Sequence, residues 1–226
     1  MHHKKITKKD IGNILHQWSK DYTIFVPSNE GDTAQMALWD GSDTSFLDWY
    51  RNTVKPPKAS FLPPMEEMFR FQKGKEGYLL ESRVESRESR VPGGGGLQTP
   101  ESRLQTPEGQ LIFGIRPCDA RSLAILDNIF TDAYQDPYYL PRRDSAVLVG
   151  LGCLKPYDTC FCTSLGISPA ESEDVDLMLT DIGDEFLIEE ISDKGKRLME
   201  QTAGVENAIE GTARAREAKE KAHGKV

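Results

Sequence analysis

Ser145-Ala-Val-Leu-Val-Gly-Leu151 is apolar along almost its whole length, and a short run without polar alternation suits a strand covered on both faces in a parallel sheet. A parallel strand needs a neighbour reached by a crossover. Gln110-Leu-Ile-Phe-Gly-Ile115 is the β run that supplies it, and Pro117 suits the first turn of a helix whose stripe continues through Ala120, Leu123, Ala124, Leu126, Asp127 and Phe130. Residues 136–143 read as turn-rich. Together these pieces predict a βαβ unit. Downstream, Asp176–Thr180 and Glu185–Ile191 read as strands joined by the hairpin turn Asp181-Ile-Gly-Asp184. An Ala- and charge-rich helix is expected from Asn207 to about Lys221, stopping near Gly224.

The amino-terminal part is organised differently. In residues 7–20, Ile11, Ile14, Leu15 and Trp18 have helical spacing behind a Thr7 cap, with Asp10 three positions on. Thr23–Val26 reads as a strand stopped by Pro27, with Ala34–Trp39 as its antiparallel partner. Lys55–Pro64 carries four prolines and is expected to be extended, with Met65–Phe71 a short helix begun by Pro64. Residues 81–110 repeat Glu-Ser-Arg and Leu-Gln-Thr-Pro-Glu around four glycines, with no aromatic side chain. Such a segment cannot bury enough surface to offset its ordering entropy, and it is expected to be a disordered insertion.

The fold class is therefore α/β: a mixed sheet with a parallel βαβ unit, a C-terminal hairpin and a terminal helix, interrupted by a disordered loop. Residues 1–80 and 111–204 form two parts of one α/β domain, 81–110 the low-complexity insertion, and 205–226 a connector helix.

No run approaches the roughly 20 apolar residues that a membrane span needs, and the basic amino terminus has no apolar stretch behind it. A cytoplasmic location is the expectation. The net charge of −8 and pI near 5.1 argue against nucleic acid as a partner. Ten of the acids fall in residues 171–193, which hold no Lys or Arg before Asp193. That stretch reads as a solvated face, or else as a docking surface for a basic partner. No Walker motif, G-x-G-x-x-G or G-x-S-x-G occurs, and the four histidines, near the termini, receive no ligand role.

The four cysteines, Cys118, Cys153, Cys160 and Cys162, all fall within 45 residues with the spacing C-x34-C-x6-C-x-C. In a reducing compartment that grouping reads as metal binding or redox chemistry rather than as a disulfide framework. The βαβ topology gives the reason they should meet. Both parallel strands end on the same edge of the sheet, with Cys118 just past the first and Cys153 just past the second. Cys160 and Cys162 follow in a loop short enough to fold back over that edge. Cys118 also falls in a first helical turn, where the helix dipole favours a thiolate. Four thiolates suit tetrahedral zinc or an iron–sulfur cubane, and buried unligated thiols are a third possibility. Arg116 and Arg121 flank the Cys118 turn and are candidates for balancing an anionic group, or for surface pairing with Asp119.

Several linked stretches resemble one known family: Lys58-Ala-Ser-Phe-Leu-Pro-Pro-Met-Glu-Glu67, Phe113-Gly-Ile-Arg-Pro-Cys-Asp-Ala-Arg121, Asp136-Pro-Tyr-Tyr139, Arg142-Arg143, Val149-Gly-Leu-Gly-Cys153, Cys160-Phe-Cys-Thr-Ser164 and Asp176-Leu-Met-Leu-Thr-Asp181. They resemble the iron–sulfur β subunit of cytoplasmic [NiFe] hydrogenases (sulfhydrogenases) and the related iron–sulfur subunit of anaerobic sulfite reductase. In that family the α/β region precedes a ferredoxin-like module with two C-x2-C-x2-C-x3-C-P runs for two [4Fe–4S] clusters. This sequence lacks those runs, so a shortened form is expected, with 205–226 as the connector toward the missing module. The resemblance implies electron transfer between a flavin-containing diaphorase subunit and a catalytic hydrogenase or sulfite reductase subunit.

The reading that follows is an electron-transfer subunit of an anaerobic oxidoreductase, with no catalytic residue of its own. Cys118, Cys153, Cys160 and Cys162 would hold one [4Fe–4S] cluster, with Arg116 and Arg121 tuning its charge. The alternative is a structural and docking domain whose cysteines bind zinc or no metal.

Overall fold

A computed structural model describes residues 3–30, 33–65, 69–73, 78–82, 109–133, 135–208 and 212–226. In chain order the elements are β1 (His3–Thr7), α1 (Ile11–Trp18), β2 (Tyr22–Glu30), β3 (Thr33–Leu38), α2 (Phe46–Trp49), β4 (Phe69–Lys73), β5 (Tyr78–Ser82) and β6 (Gly109–Ile115). There follow α3 (Pro117–Phe130), α4 (Tyr139–Ser145), β7 (Val147–Leu151), β8 (Leu177–Asp181), β9 (Glu185–Glu190), α5 (Asp193–Glu200), β10 (Glu206–Asn207) and α6 (Thr212–His223). Eight strands make one mixed sheet in the order β10-β1-β9-β8-β7-β6-β2-β3, and β4 and β5 pair separately.

The centre of the sheet is parallel: β2 with β6, β6 with β7 and β7 with β8. The expected βαβ unit is β6-α3-α4-β7, and the expected hairpin is β8-β9, antiparallel across Asp181 and Phe186. All five residues of β7 are buried, which is why that strand shows no polar alternation.

Two cores cover the two faces. On one, Leu111, Phe113, Val147, Val149, Leu177 and Leu179 pack with α1, α2 and α5. On the other, Ile112, Ile115, Leu148 and Met178 pack with Ala120 and Leu123 of α3, Tyr139 of α4 and Phe61. The side-chain alternation of β6 slips at Gly114, where the pairing with β7 shifts register and φ is +84°. Glycine accepts that backbone, and a Cβ there would press on the Pro27 ring at 3.1 Å.

Several boundaries differ from the sequence expectations. Thr7 precedes a 3-10 turn, Lys8–Asp10, and α1 begins only at Ile11. Pro27 does not stop β2, which continues to Glu30, because the pairing with β6 ends at Phe25 and Pro27 faces no acceptor on that side. Pro57–Ser60 forms a 3-10 turn within the stretch expected to be extended, since Pro57 at its start needs no amide partner. Phe69–Phe71 belongs to a strand rather than to a helix begun by Pro64. Residues 139–145 form a helix, with Pro141 tolerated in its first turn. Asn207 belongs to β10 rather than to the terminal helix, which among the described residues spans Thr212–His223. The expected insertion at 81–110 lies, for residues 83–108, outside the described residues, while its ends at 81–82 and 109–110 are strand. No helix among the described residues is long and apolar enough to cross a membrane.

Candidate functional site

Parallel pairing of β6 and β7, with Ile115 opposite Gly150, puts the carboxyl ends of both strands on one edge of the sheet. Arg116 caps the amino end of α3, Pro117 is its first residue and Cys118 its second. Past β7, Gly152 N–H donates to the Leu179 carbonyl at 2.9 Å and Cys153 N–H to the Pro169 carbonyl at 2.8 Å, so Cys153 is held at the mouth of the following loop. That loop then doubles back. Cys160 N–H donates to the Tyr157 carbonyl at 2.9 Å, and the Cys160 thiol accepts from the Tyr157 N–H at 3.3 Å. Cys162 opens a 3-10 turn, Cys162–Leu165, closed by Gly166 at φ +71° and by the Ile167 N–H on the Cys162 carbonyl at 3.0 Å.

A second segment pins the loop from outside. The Arg51 guanidinium stacks 4.0 Å from the centre of the Tyr157 ring and donates to the carbonyls of Lys155 and Pro156. All four cysteines are free thiols of intermediate burial.

Their charges act on one another. Burial pushes the Cys118 thiol up to about 12, helped by the negative charges of Asp119, Cys153 and Cys162. Burial also pushes Cys153 up, against Arg116 and together with Cys160 and Cys162. Cys162 rises through burial and the neighbouring Cys160. The expected stabilisation of a Cys118 thiolate by the first turn of α3 is thus outweighed by lost hydration and by like charge. Adjacent Asp119, whose carboxylate accepts from the Thr53 hydroxyl, is itself pushed up to about 6 by burial despite Thr53 and Arg116.

Among the described residues, no group of three or more His, Cys, Asp or Glu side chains is gathered around a point that would hold one metal ion. A zinc ion needs four ligands about 2.0–2.3 Å from a single centre. A cubane, with iron at its corners, is met by thiolates set further apart. The four thiols feel one another's charge but are not gathered at one ion-sized point.

Arg116, whose charge acts on Cys153, is buried at 4% exposure. Its Nη1 donates to the carbonyls of Leu151 at 2.9 Å and Gly152 at 2.8 Å, and its Nη2 to the carbonyl of Tyr50 at 2.9 Å. Among the described residues no carboxylate bonds to it, and its Nε is buried without a partner. The Tyr50 hydroxyl is buried and unpartnered too. Arg116 acts on Cys153, and Tyr50 feels the charges of Cys118 and Cys153; orphaned buried donors here fit an acceptor-rich anionic group, because such donors cost about 1–3 kcal/mol each when unmet. Arg121 instead ion-pairs at 3.0 Å with both Glu173 and Asp174.

The acidic stretch at 171–193 is mostly met within the chain. Lys4 pairs with Glu190, Lys5 with Glu185, Lys8 with Asp181, and Lys219 with Glu171 and Glu189. Even so, Glu171, Glu173 and Asp193 remain exposed at 64%, 81% and 83% of their side chains. Tyr50 and Thr53 are not legible in the sequence as site residues, since they come from a segment that carries no motif. Only proximity in the fold identifies them.

No family profile matches the chain, and no solved structure is similar to it. The chain is 30% identical over 172 residues, 76% of its length, to the Sulfhydrogenase 2 subunit beta of Pyrococcus furiosus. It is a distant homologue of that protein, and the matched segment covers 43% of the relative.

Proposed function

We propose that the chain belongs with the iron–sulfur β subunits of sulfhydrogenases and acts as an electron-transfer subunit of a cytoplasmic oxidoreductase complex. What supports this reading is that Cys118 and Cys153 follow β6 and β7 at one edge of the sheet, with Cys160 and Cys162 in the loop that leaves β7. The distant homology to a hydrogenase subunit supports the same class.

When bound, a [4Fe–4S] cluster supplies a one-electron couple. Cys118 from α3, Cys153 from the end of β7, and Cys160 and Cys162 from the loop would hold it. Their thiols lose protons on ligation, which offsets the burial that raises them in the free protein. Arg116 places a fixed positive charge at the site and ties the two strand ends together, so the ligands from both strands keep one spacing. Arg121 holds the acidic segment at Glu173 and Asp174 and adjusts the field from further out. Exposed Phe161, between two of the cysteines, and exposed Leu165 give the loop an apolar face toward an electron partner. The natural partners for this role are a catalytic hydrogenase or sulfite reductase subunit and a flavin-containing diaphorase subunit.

A docking domain with unligated thiols is the second reading, favoured by burial that keeps Cys118 protonated. Redox cycling separates the two. After anaerobic reconstitution with iron and sulfide, dithionite should bleach the visible absorption and oxidised benzyl viologen should restore it over repeated cycles. No reversible bleaching, with thiols titrating as free, would establish the docking reading instead.

A further inference from the structure

The loop that carries Cys160 has no core of its own. From Cys153 to Ser168 every residue is half-buried or exposed, and a stretch with few buried contacts opens at little cost unless polar contacts fasten it. Its two ends have their own anchors. Cys153 is fixed from the sheet side, through its N–H on the Pro169 carbonyl at 2.8 Å and the Gly152 N–H on the Leu179 carbonyl at 2.9 Å. Cys162 opens a turn closed by the Ile167 N–H on the Cys162 carbonyl at 3.0 Å.

Between those ends, the tie to the rest of the fold is Arg51. Its Nε and Nη2 donate to the Lys155 carbonyl at 3.1 and 3.0 Å, Nη2 donates to the Pro156 carbonyl at 2.8 Å, and the guanidinium covers the Tyr157 ring at 4.0 Å. Arg51 is firmly mounted, since the preceding Tyr50 is 8% exposed and its carbonyl accepts from buried Arg116 at 2.9 Å. Tyr157 in turn holds the sulfur: its N–H donates to the Cys160 Sγ at 3.3 Å, and its carbonyl accepts from the Cys160 N–H at 2.9 Å.

We infer that Arg51 is the latch of the cysteine loop: by holding Lys155, Pro156 and Tyr157 it positions the Cys160 sulfur, and its release frees Cys160 while Cys153 stays in place. The planar guanidinium makes this possible, because it reaches two successive carbonyls while stacking on the ring that follows them. Arg51 is a positioning residue, and its role stands whether or not the thiols ligate a metal.

The test is residue-resolved amide hydrogen exchange, followed by nuclear magnetic resonance on the metal-free full chain, for the unsubstituted protein, Arg51→Met and Arg51→Lys. In Arg51→Met the Tyr157 and Cys160 amides are expected to exchange about tenfold faster, while the Cys153 amide and those of β7 keep their rates. Arg51→Lys is expected to recover only part of the protection, and full recovery would overturn the role of the planar group. Unchanged exchange at Tyr157 and Cys160 in Arg51→Met would overturn the latch. Acceleration that reaches Cys153 equally would overturn the separate anchoring of the two thiols. Should Arg51→Met fold poorly, the unsubstituted chain decides. Nuclear Overhauser contacts between the Arg51 side chain and the Tyr157 ring support the latch, and their absence overturns it.

Discussion

The Arg116 guanidinium lies 4.3 Å from the centre of the Tyr50 ring while donating to the Tyr50 carbonyl at 2.9 Å, so one side chain joins α2 to the ends of β6 and β7. A buried cation here stitches three backbone segments at the edge where the cysteines lie. Its fork geometry is what makes three carbonyl contacts possible.

Arg116→Lys keeps the charge but cannot reach three carbonyls from one point. It is expected to lower stability by about 2 kcal/mol, and Arg116→Met by about 3 kcal/mol, because carbonyls at a buried edge lose their donors. Urea denaturation of the metal-free protein measures both. A loss of only a few tenths of a kcal/mol would show that the stitching is unimportant.

Asp119 gives the metal-free protein a distinctive pH response. Burial raises its carboxyl from 3.8 to about 6, so the folded state keeps a proton that the unfolded state has lost. Its contribution favours folding most at low pH, fades as pH rises from about 4 to 6, and is constant above that. Asp119→Asn should therefore stabilise the protein at pH 8 by about 2 kcal/mol and bring the two stability profiles together near pH 4. Parallel profiles from pH 4 to 8 would contradict this.

Much of this architecture is readable from residue patterns, and the failures have specific physical causes. The apolar run of β7 and the Pro117-led stripe of α3 announce themselves because burial on both faces and helical spacing leave direct marks in sequence. β1 escapes such reading because its lysines serve as ion-pair partners for β9 and β10, which makes an inner strand look polar. α5 escapes it because that helix buries only Gly195, Leu198 and Met199. For the site, strand ends locate Cys118 and Cys153. Tyr50 and Thr53 reach it through tertiary folding alone, and Arg121 finds its acids across the sheet edge in residues 173 and 174.

Gly195 shows the same dependence on tertiary contact. In the first turn of α5 its N–H donates to the capping Ser192 hydroxyl at 3.1 Å, and a Cβ would run into the Asp176 carbonyl. Gly195→Ala gains about 1 kcal/mol of helix propensity but is expected to lose about 3 kcal/mol from the clash. Thermal melts should show a lower midpoint, and an unchanged or higher midpoint would mean that the helix can shift freely.

Cys118 in the metal-free protein should be a sluggish nucleophile. With its thiol pushed up to about 12, alkylation by iodoacetamide at pH 8 should be about a thousandfold slower than for an ordinary cysteine and should rise about tenfold per pH unit. Mass spectrometry of timed samples gives the rate at each thiol. A Cys118 rate near that of free cysteine would mean that its burial is not maintained in solution.

The central claim, that Cys118, Cys153, Cys160 and Cys162 hold one [4Fe–4S] cluster between them, meets its most direct test in Mössbauer spectroscopy with iron quantitation on the anaerobically reconstituted chain. The account predicts about four irons per chain in a single cubane signature, with loading reduced in both Cys118→Ser and Cys160→Ser. Substoichiometric iron without that signature, or full loading in either variant, would contradict it.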